Sequence, residues 1–374
     1  MATVTYTVMI DNAPAGAEVV DAVRHIEAED DLGKAAILRL HLGTALSEDG
    51  ERWLLVDDGD FTRLTPIRLL VATGTGLPAV VFDGYVAETQ LTLSEDPGAS
   101  AFTVIAMDAT ALMNLEEKVR EWPNLPDSAI ATTIFGEYAL VPVVDDTQPV
   151  RAQVDTTVIQ RDTDIRFLRH LAQRNGFDVY ARPGPTPGVV EGHFHRPAVD
   201  DQPQGVLGVN LAELSNIRSF SARFEMLRPT TAAVEGVDAR SLARQPASAT
   251  AGDLTELGAA ALLDGDRPRT TLLRTTGLAD GGALQTLAQA AVDRSTWAVT
   301  VECELDTAIY GDVVRVGAPV LLRGAGSTYS GTYFVETVRH RIEGERYTQH
   351  LTLRRNALEA TGQEDFLPLP GLPT

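Results

Sequence analysis

The residues with the most obvious chemical potential are His193 and His195, three short acidic pairs, and a Gly-Thr-Gly run at 74–76. On a strand, His193-Phe-His195 puts two imidazoles on one face, which is half of a tetrahedral zinc set. No third ligand sits at a fixed spacing, so the pair reads as part of a surface strand beside a Pro-rich loop. His340, between Arg339 and Arg341, reads as an exposed strand residue. Asp57-Asp58, Asp145-Asp146 and Asp200-Asp201 have the residue type glycoside hydrolysis needs, where two carboxyls flank the bond. All three fall in loop-like sequence, and a chain with 52 acidic residues makes such pairs readily, so solvated turns are the expectation. Gly74-Thr-Gly76 with Gly84 lacks the Lys-Ser/Thr and the helix start of a phosphate loop and reads as a hairpin. With no Gly-x-Ser-x-Gly elbow and a single cysteine, Cys303, without a histidine partner, the expectation is a protein that is not an enzyme. It should have no catalytic, cofactor-binding or metal-ligating residues.

Composition narrows the class. Acidic residues outnumber basic ones by 52 to 31, a net charge of -21, and no Lys/Arg run offsets this locally. Sequence-independent binding to DNA or to an anionic membrane needs the opposite sign. A well-solvated surface accounts for the charge; a channel wall that repels nucleic acid is the alternative. Cys303 alternates with Val299, Val301 and Leu305, as a buried strand residue would. The N-terminal MATVTYTVMI has no basic segment leading into an apolar one, and nothing approaches the roughly 18 apolar residues of a membrane helix. Synthesis in the bacterial cytoplasm without a signal peptide, and no membrane anchoring, are expected.

The elements that must position these residues are mostly strands. Val4 to Ile10, Ala36 to Leu42, Trp53 to Val56, Ile67 to Val71, Val80 to Gln90 and Ala101 to Met107 are alternating or β-branched runs punctuated by Gly, Asp and Pro. Between 116 and 206 the period changes. Asp127 is placed to cap a short helix carrying Ile130, Ile134 and Tyr138. Asp162 or Thr163 caps a second, whose apolar face holds Ile165, Phe167, Leu168, Leu171 and Ala172 and which stops at Gly176. Strands resume at 207, interrupted by helical patterns at Leu254 to Leu263 and Gly282 to Arg294, and continue through Ala298 to Glu304, Asp312 to Val316, Tyr333 to Ile342 and Tyr347 to Arg354. The domains read as 1–115, a tube-like β barrel; 116–206, a small α+β unit; 207–358, a second tube-like barrel with helical insertions; and 359–374, an extended Pro-rich tail.

The two β domains resemble each other. Phe82-Asp-Gly84 leads through Val86-Ala-Glu-Thr89 to a hairpin and the strand Phe102-Thr-Val-Ile. Tyr329-Ser-Gly331 leads through Val335-Glu-Thr337 to a hairpin and the strand Leu351-Thr-Leu. A duplicated barrel would let three chains present six barrels to a six-fold partner.

The segment Gln160 to Tyr180, with its Asp-Thr-Asp turn, Phe-Leu-x-x-Leu-Ala helix core, Gly stop and aromatic strand, resembles the signature of the phage late-control protein D family and of the hub portion of valine-glycine-repeat spike proteins. Phe82 to Glu88, Leu125 to Ala131, and Tyr329 to His340 running on to Asn356 resemble the same family in order. On that resemblance the structural signature is Asp162, Asp164, Phe167, Leu168, Leu171, Gly176, Gly84, Glu88, Gly331 and Glu336. The resemblance implies a mainly β fold of two tube-like barrels with an attached α+β domain. It also implies a structural hub: a homotrimer of pseudo-six-fold symmetry between a hexameric inner tube and a trimeric spike, contacting baseplate wedge proteins, in a contractile phage tail or injection system. No valine-glycine repeat follows the hub portion, so a separate spike polypeptide is expected. A cell-wall hydrolase and a tail-tip binding module are the competing readings.

Overall fold

The computed structural model describes residues 4–74, 77–96, 98–148, 157–238, 241–263, 268–278 and 281–366. Thr75, Gly76, Pro97 and the tail from 367 therefore lie outside the described residues, and with them part of the expected Gly-Thr-Gly hairpin and most of the extended C-terminal segment. The molecule is mainly β, as expected, and is organised by one thirteen-stranded sheet.

The first part of that sheet comprises β1 (Val4–Ile10), β2 (Ala13–Pro14), β3 (Val23–Asp31), β4 (Ile37–Gly43), β5 (Pro66–Thr73), β6 (Ala79–Thr92) and β7 (Ala101–Asp108). Strict alternation turns Leu38, Leu40 and Leu42 inward, where they meet Leu69, Val71, Val104 and Ala106. The expected strand Trp53 to Val56 is instead a turn. The carboxylates of Asp57 and Asp58 accept the backbone N–H groups of Trp53 and Leu55 at 2.8 and 2.7 Å, so local side-chain bonds replace a ladder.

An α+β segment follows: β8 (Glu117–Trp122), α1 (Asp127–Glu137), β9 (Val141–Val144), β10 (Val158–Thr163), α2 (Asp164–Asn175), β11 (Asp178–Pro183) and β12 (Val190–His195). Ile130, Ile134, Phe135, Leu168, Leu171 and Phe194 form its core. Both helix starts differ from expectation. Asp127 is the first helical residue rather than the cap, and its carboxylate accepts from Arg174 and Asn175 of α2, tying the helices together. Thr163 occupies the cap position of α2, yet its hydroxyl bonds Asn114 at 2.9 Å and caps nothing.

The last part holds β13 (Val206–Gly208), β14 (Ile217–Phe224), β15 (Thr230–Val237), β16 (Arg244–Ala249), β17 (Ala260–Ala261), β18 (Arg269–Leu278), α3 (Gly281–Thr296), β19 (Val299–Asp306), β20 (Pro319–Arg323), β21 (Gly331–Glu343), β22 (Arg346–Arg355) and β23 (Ala357–Leu358). β15, β16 and β18 make a separate sheet covered by α3. The helix expected at Leu254 to Leu263 does not form. Leu257 is buried, its N–H is taken by the Asn356 side chain and its carbonyl by Arg355, so tertiary bonds override the helical period. Asp312 to Val316 is not a strand either: the side-chain amide of Gln349 bonds both the N–H and the carbonyl of Val314, at 3.0 and 2.7 Å, doing the work of a ladder partner.

The duplication is explicit in the topology. The strand order is β3-β4-β7-β6-β5 in the first half and β14-β19-β22-β21-β20 in the second, so the same permutation of chain order occurs twice. Every pairing in both sets is antiparallel. The irregularities match as well. A bulge separates Val86 from Glu88 on β6, and another separates Val335 from Thr337 on β21. A second matched pair separates Val23 from His25 and Ile217 from Ser219. Val86 exchanges backbone bonds with Leu64 and Thr65, and Val335 exchanges them with Gly317 and Ala318; Leu64 and Gly317 both have positive φ, 63° and 77°. These positions correct the sequence alignment, which paired Gly84 with Gly331. Gly84 lies two residues before its bulge valine and Gly331 four before its own, so the glycines are not equivalent.

Gly84 and Gly331 serve separate local needs. A Cβ on Gly84 would fall on the Met107 carbonyl of the adjacent strand, and one on Gly331, at φ 130°, would lie 2.5 Å from the buried Arg355 guanidinium. Gly136 in α1 faces open space. Gly84→Ala should therefore destabilise by on the order of 2 kcal/mol or more, because backbone must move. Gly136→Ala should stabilise by roughly 0.5–1 kcal/mol. Urea midpoints of the two variants, shifted in opposite directions, check this contrast.

Candidate assembly surface and the signature residues

The signature helix is fixed by one buried carboxylate. Asp164 opens α2, almost fully buried, and accepts from Lys118 (2.6 Å), Tyr138 (2.7 Å) and Gln160 (2.6 Å). Burial alone would raise its pKa, but these donors outweigh it and hold the group below the ordinary carboxylate value. Tyr138, desolvated and bonded to this anion, is pushed up to about 12. Asp162 is more exposed; it bonds the next backbone N–H at 2.8 Å and lies 3.6 Å from Arg166. Phe167, Leu168 and Leu171 are buried in the α+β core. Gly176 ends the helix at φ 71°, and a Cβ there would meet Ala290 of α3 at 3.2 Å, so it is both a left-handed stop and a close-packing point.

The remaining signature residues lie on the sheet. Glu88 is exposed immediately after the β6 bulge. Glu336 is the extra residue of the β21 bulge, 3.4 Å from Arg354. The ten residues thus do not converge on one site. They mark a helix anchor and two strand irregularities.

The histidines depart from the sequence reading. His193 and His195 do share a strand face, but that face is buried. His195 Nδ1 lies 2.6 Å from the Arg196 carbonyl and its Nε2 3.0 Å from His193 Nδ1, His193 Nε2 lies 3.1 Å from a Glu191 carboxylate oxygen, and Tyr180 stacks on His193 with ring centroids 4.5 Å apart. Burial, reinforced by Arg182 and His195, holds His193 at about 2. His340, expected to be exposed, is buried between Val338 and Ile342 on the inward face of β21, 2.7 Å from the Tyr347 hydroxyl; burial, with Arg315 adding to it, holds it at about 3. Among the described residues no group of three or more His, Cys, Asp or Glu is placed to hold a metal ion. Cys303 is buried and its thiol is pushed up to about 12 by desolvation. Of the acidic pairs, Asp57 and Asp58 cap a turn, and Asp145 accepts the Arg196 N–H at 3.1 Å.

What sequence reasoning missed is a pair of strand edges. β14 ends the long sheet, and the outer half of β6, from Ala87 to Thr92, is exposed throughout. Leu91, Leu93, Met226 and Leu227 are exposed large apolar residues on or beside these edges. The alternation of Leu91 and Leu93 beyond the bulge was the available signal.

A family model described as the Alg8 N-terminal domain matches residues 75–344, a span that includes β6 through β21. The chain belongs to the Alg8 N-terminal domain family. No curated protein sequence matches it. Among solved structures, this Alg8 N-terminal-type chain resembles a tail protein from Neisseria meningitidis (TM-score 0.69, 11% identity, 95% of this chain and 97% of that one). It also resembles the 43 kDa tail protein of prophage MuSo2 from Shewanella oneidensis (TM-score 0.66, 13% identity, 96% and 100%). A third is the E. coli c3393 protein, a component of the type VI secretion system with structural similarity to the T4 tail proteins gp27 and gp5 (TM-score 0.56, 11% identity, 96% and 80%). At these identities the likeness is one of fold: over nearly its whole length this chain has the architecture of these tail proteins.

Two predictions follow from the buried polar groups. Asp164→Ala removes the acceptor shared by Lys118, Tyr138 and Gln160, leaving Lys118 only Glu137 and Gln160 the Asp162 carbonyl, and should cost about 3 kcal/mol, read as a lowered urea midpoint at pH 7. His340 contributes one share of the pH response, opposed by buried Asp30, which desolvation pushes up to about 7. A buried His340 near 3 stays neutral while the unfolded chain takes up a proton below the ordinary 6.5, so its stabilising share is present above pH 6.5 and is lost as pH falls toward 3. Between pH 6.5 and 4, stability from urea titrations should fall less, or rise more, for His340→Gln than for the parent, by up to about 1.4 kcal/mol per pH unit.

Proposed function

We propose that this chain is a structural hub of a contractile phage tail or injection system: a homotrimer of pseudo-six-fold symmetry that joins a hexameric inner tube to a trimeric spike, with baseplate wedge proteins around it. The observation that carries the reading is the duplicated five-strand topology with matched bulges. Two near-equivalent units per chain give three chains six equivalent positions, which is what a trimer needs to face a six-fold ring. The fold of tail proteins supports it, as does the likeness to a chain in the Francisella PdpA-VgrG complex (TM-score 0.55, 8% identity, 54% of that chain covered). In this reading the chain has no catalytic centre of its own, and the strong negative charge argues against holding nucleic acid. No helix of the described residues is long and apolar enough to cross a membrane.

Light scattering coupled to size exclusion should give three copies of the 40.2 kDa chain, about 120 kDa. A chain that stays monomeric at high concentration, together with tail particles lacking a ring of this protein, would overturn the reading.

A further inference from the structure

β21 is shared between two partners. Its first residues pair with β20, and beyond the bulge Thr337 to Ile342 pair with β3 of the other repeat: Thr337 opposite Asp31, Val338 opposite Asp30, Arg339 opposite Glu29, His340 opposite Ala28, Arg341 opposite Glu27 and Ile342 opposite Ile26. This is how one repeat is joined to the next within the chain. β6 is built the same way. Its first residues pair with β5, but past the bulge the strand carries β7 on one side and an exposed edge on the other. The strand equivalent to β3 in the second repeat is β14, which ends the sheet.

We propose that the outer half of β6 pairs, antiparallel, with β14 of a second copy of this chain, reproducing the β21–β3 junction between subunits, and that Met226 of the partner subunit seats beside Leu64. The proposal rests on the hub reading for the number of copies; the pairing and its register come from the repeat. The matched bulges make Thr337 equivalent to Glu88 and Asp31 equivalent to Glu225. The register that follows sets Thr89 opposite Phe224 of the partner subunit, Leu91 opposite Ala222 of the partner subunit and Leu93 opposite Phe220 of the partner subunit.

Three observations fit this register. Val338, His340 and Ile342 are buried at the internal junction, whereas their counterparts Thr89, Leu91 and Leu93 are exposed, the two leucines by 39% and 53% on the face that the junction would cover. Leu32, the residue after β3, is 4% exposed; its N–H bonds the carbonyl of the bulge residue Glu336 at 3.2 Å, and its side chain packs against Gly317. Its counterpart Met226 is 73% exposed. The matching receptor exists: the counterparts of Gly317 and Glu336 are Leu64 and Ala87, and both line a cavity of about 470 Å³ together with Val86 and Leu115. One of the six pairings, Glu88 against Glu225 of the partner subunit, sets like charges opposite each other at the end of the ladder. Because the two surfaces differ, the contact is head-to-tail and closes into a ring rather than a two-fold dimer.

The test is a disulfide in register. Directly opposed residues of an antiparallel pair lie within disulfide reach, so a full-length chain carrying Leu91→Cys and Ala222→Cys, with Cys303→Val, should form covalent closed trimers on mild oxidation. Thr92→Cys with Ala222→Cys puts the thiols on opposite faces and should not. Met226→Asp, at a position exposed in the single chain, should weaken assembly on the order of 30-fold or more while leaving the thermal melt of the monomer unchanged. A ring that forms with neither the in-register crosslink nor sensitivity to Met226→Asp overturns the pairing and leaves the hub reading standing. A chain that is monomeric at all concentrations overturns both.

Discussion

A long strand that changes partner at a bulge is the constraint on which the rest of the architecture hangs. At Val335 the extra residue Glu336 twists β21 away from β20 and onto β3, so one strand belongs to two repeats and the thirteen strands become one sheet. The same device at Val86 leaves the far half of β6 projecting beyond β5. Each bulge is held from outside by a loop residue of positive φ, Leu64 in one repeat and Gly317 in the other. A β-branched or bulky residue in that conformation is strained, and Leu64 keeps it because the Val86 backbone bonds on both sides leave the loop no alternative.

Around that frame, buried polar groups decide how the accessory elements dock. Arg355, fully buried, donates to the carbonyls of Leu257, Ser330 and Glu359, and so pulls three separate loops onto the end of β22. Arg354 reaches the other way, to Asp178 of β11 at 3.2 Å, with its guanidinium over Trp297 at 4.4 Å. The α+β segment is thereby tied to the second repeat by charge, and by the close approach of Gly176 to Ala290. Arg355 finds its partners in those three carbonyls, whereas Arg354 Nε is buried without a hydrogen-bond partner among the described residues; removing a carbonyl or carboxylate from either cation would leave a buried charge to bear its full desolvation cost.

Much of this was legible in the order of residues. Period-two alternation located Leu38, Leu40 and Leu42 on one face; the change of period around Phe167 and Leu171 marked the signature helix; Gly176 marked its end. Where the reading failed, a tertiary bond had replaced a local one. Leu257 left a helical pattern for Asn356 and Arg355, Val314 left a strand pattern for the Gln349 amide, and Thr163 gave up capping for Asn114. His193, His195 and His340 were read as exposed because polar type was taken as a guide to surface, whereas Tyr180 and Tyr347 supply partners that make burial tolerable.

The sequence by itself determined most of the elements and pointed to a repeat, because alternation and glycine stops are local and act within a turn or a strand. It did not determine how the repeats correspond. Short motifs aligned Gly84 with Gly331, yet the equivalence runs through Val86 and Val335, because a bulge is defined by two residues facing one on another strand. Only the tertiary structure contains that second strand. For the same reason only the structure decided which edges are used inside the chain and which, along the outer half of β6 and at β14, remain exposed.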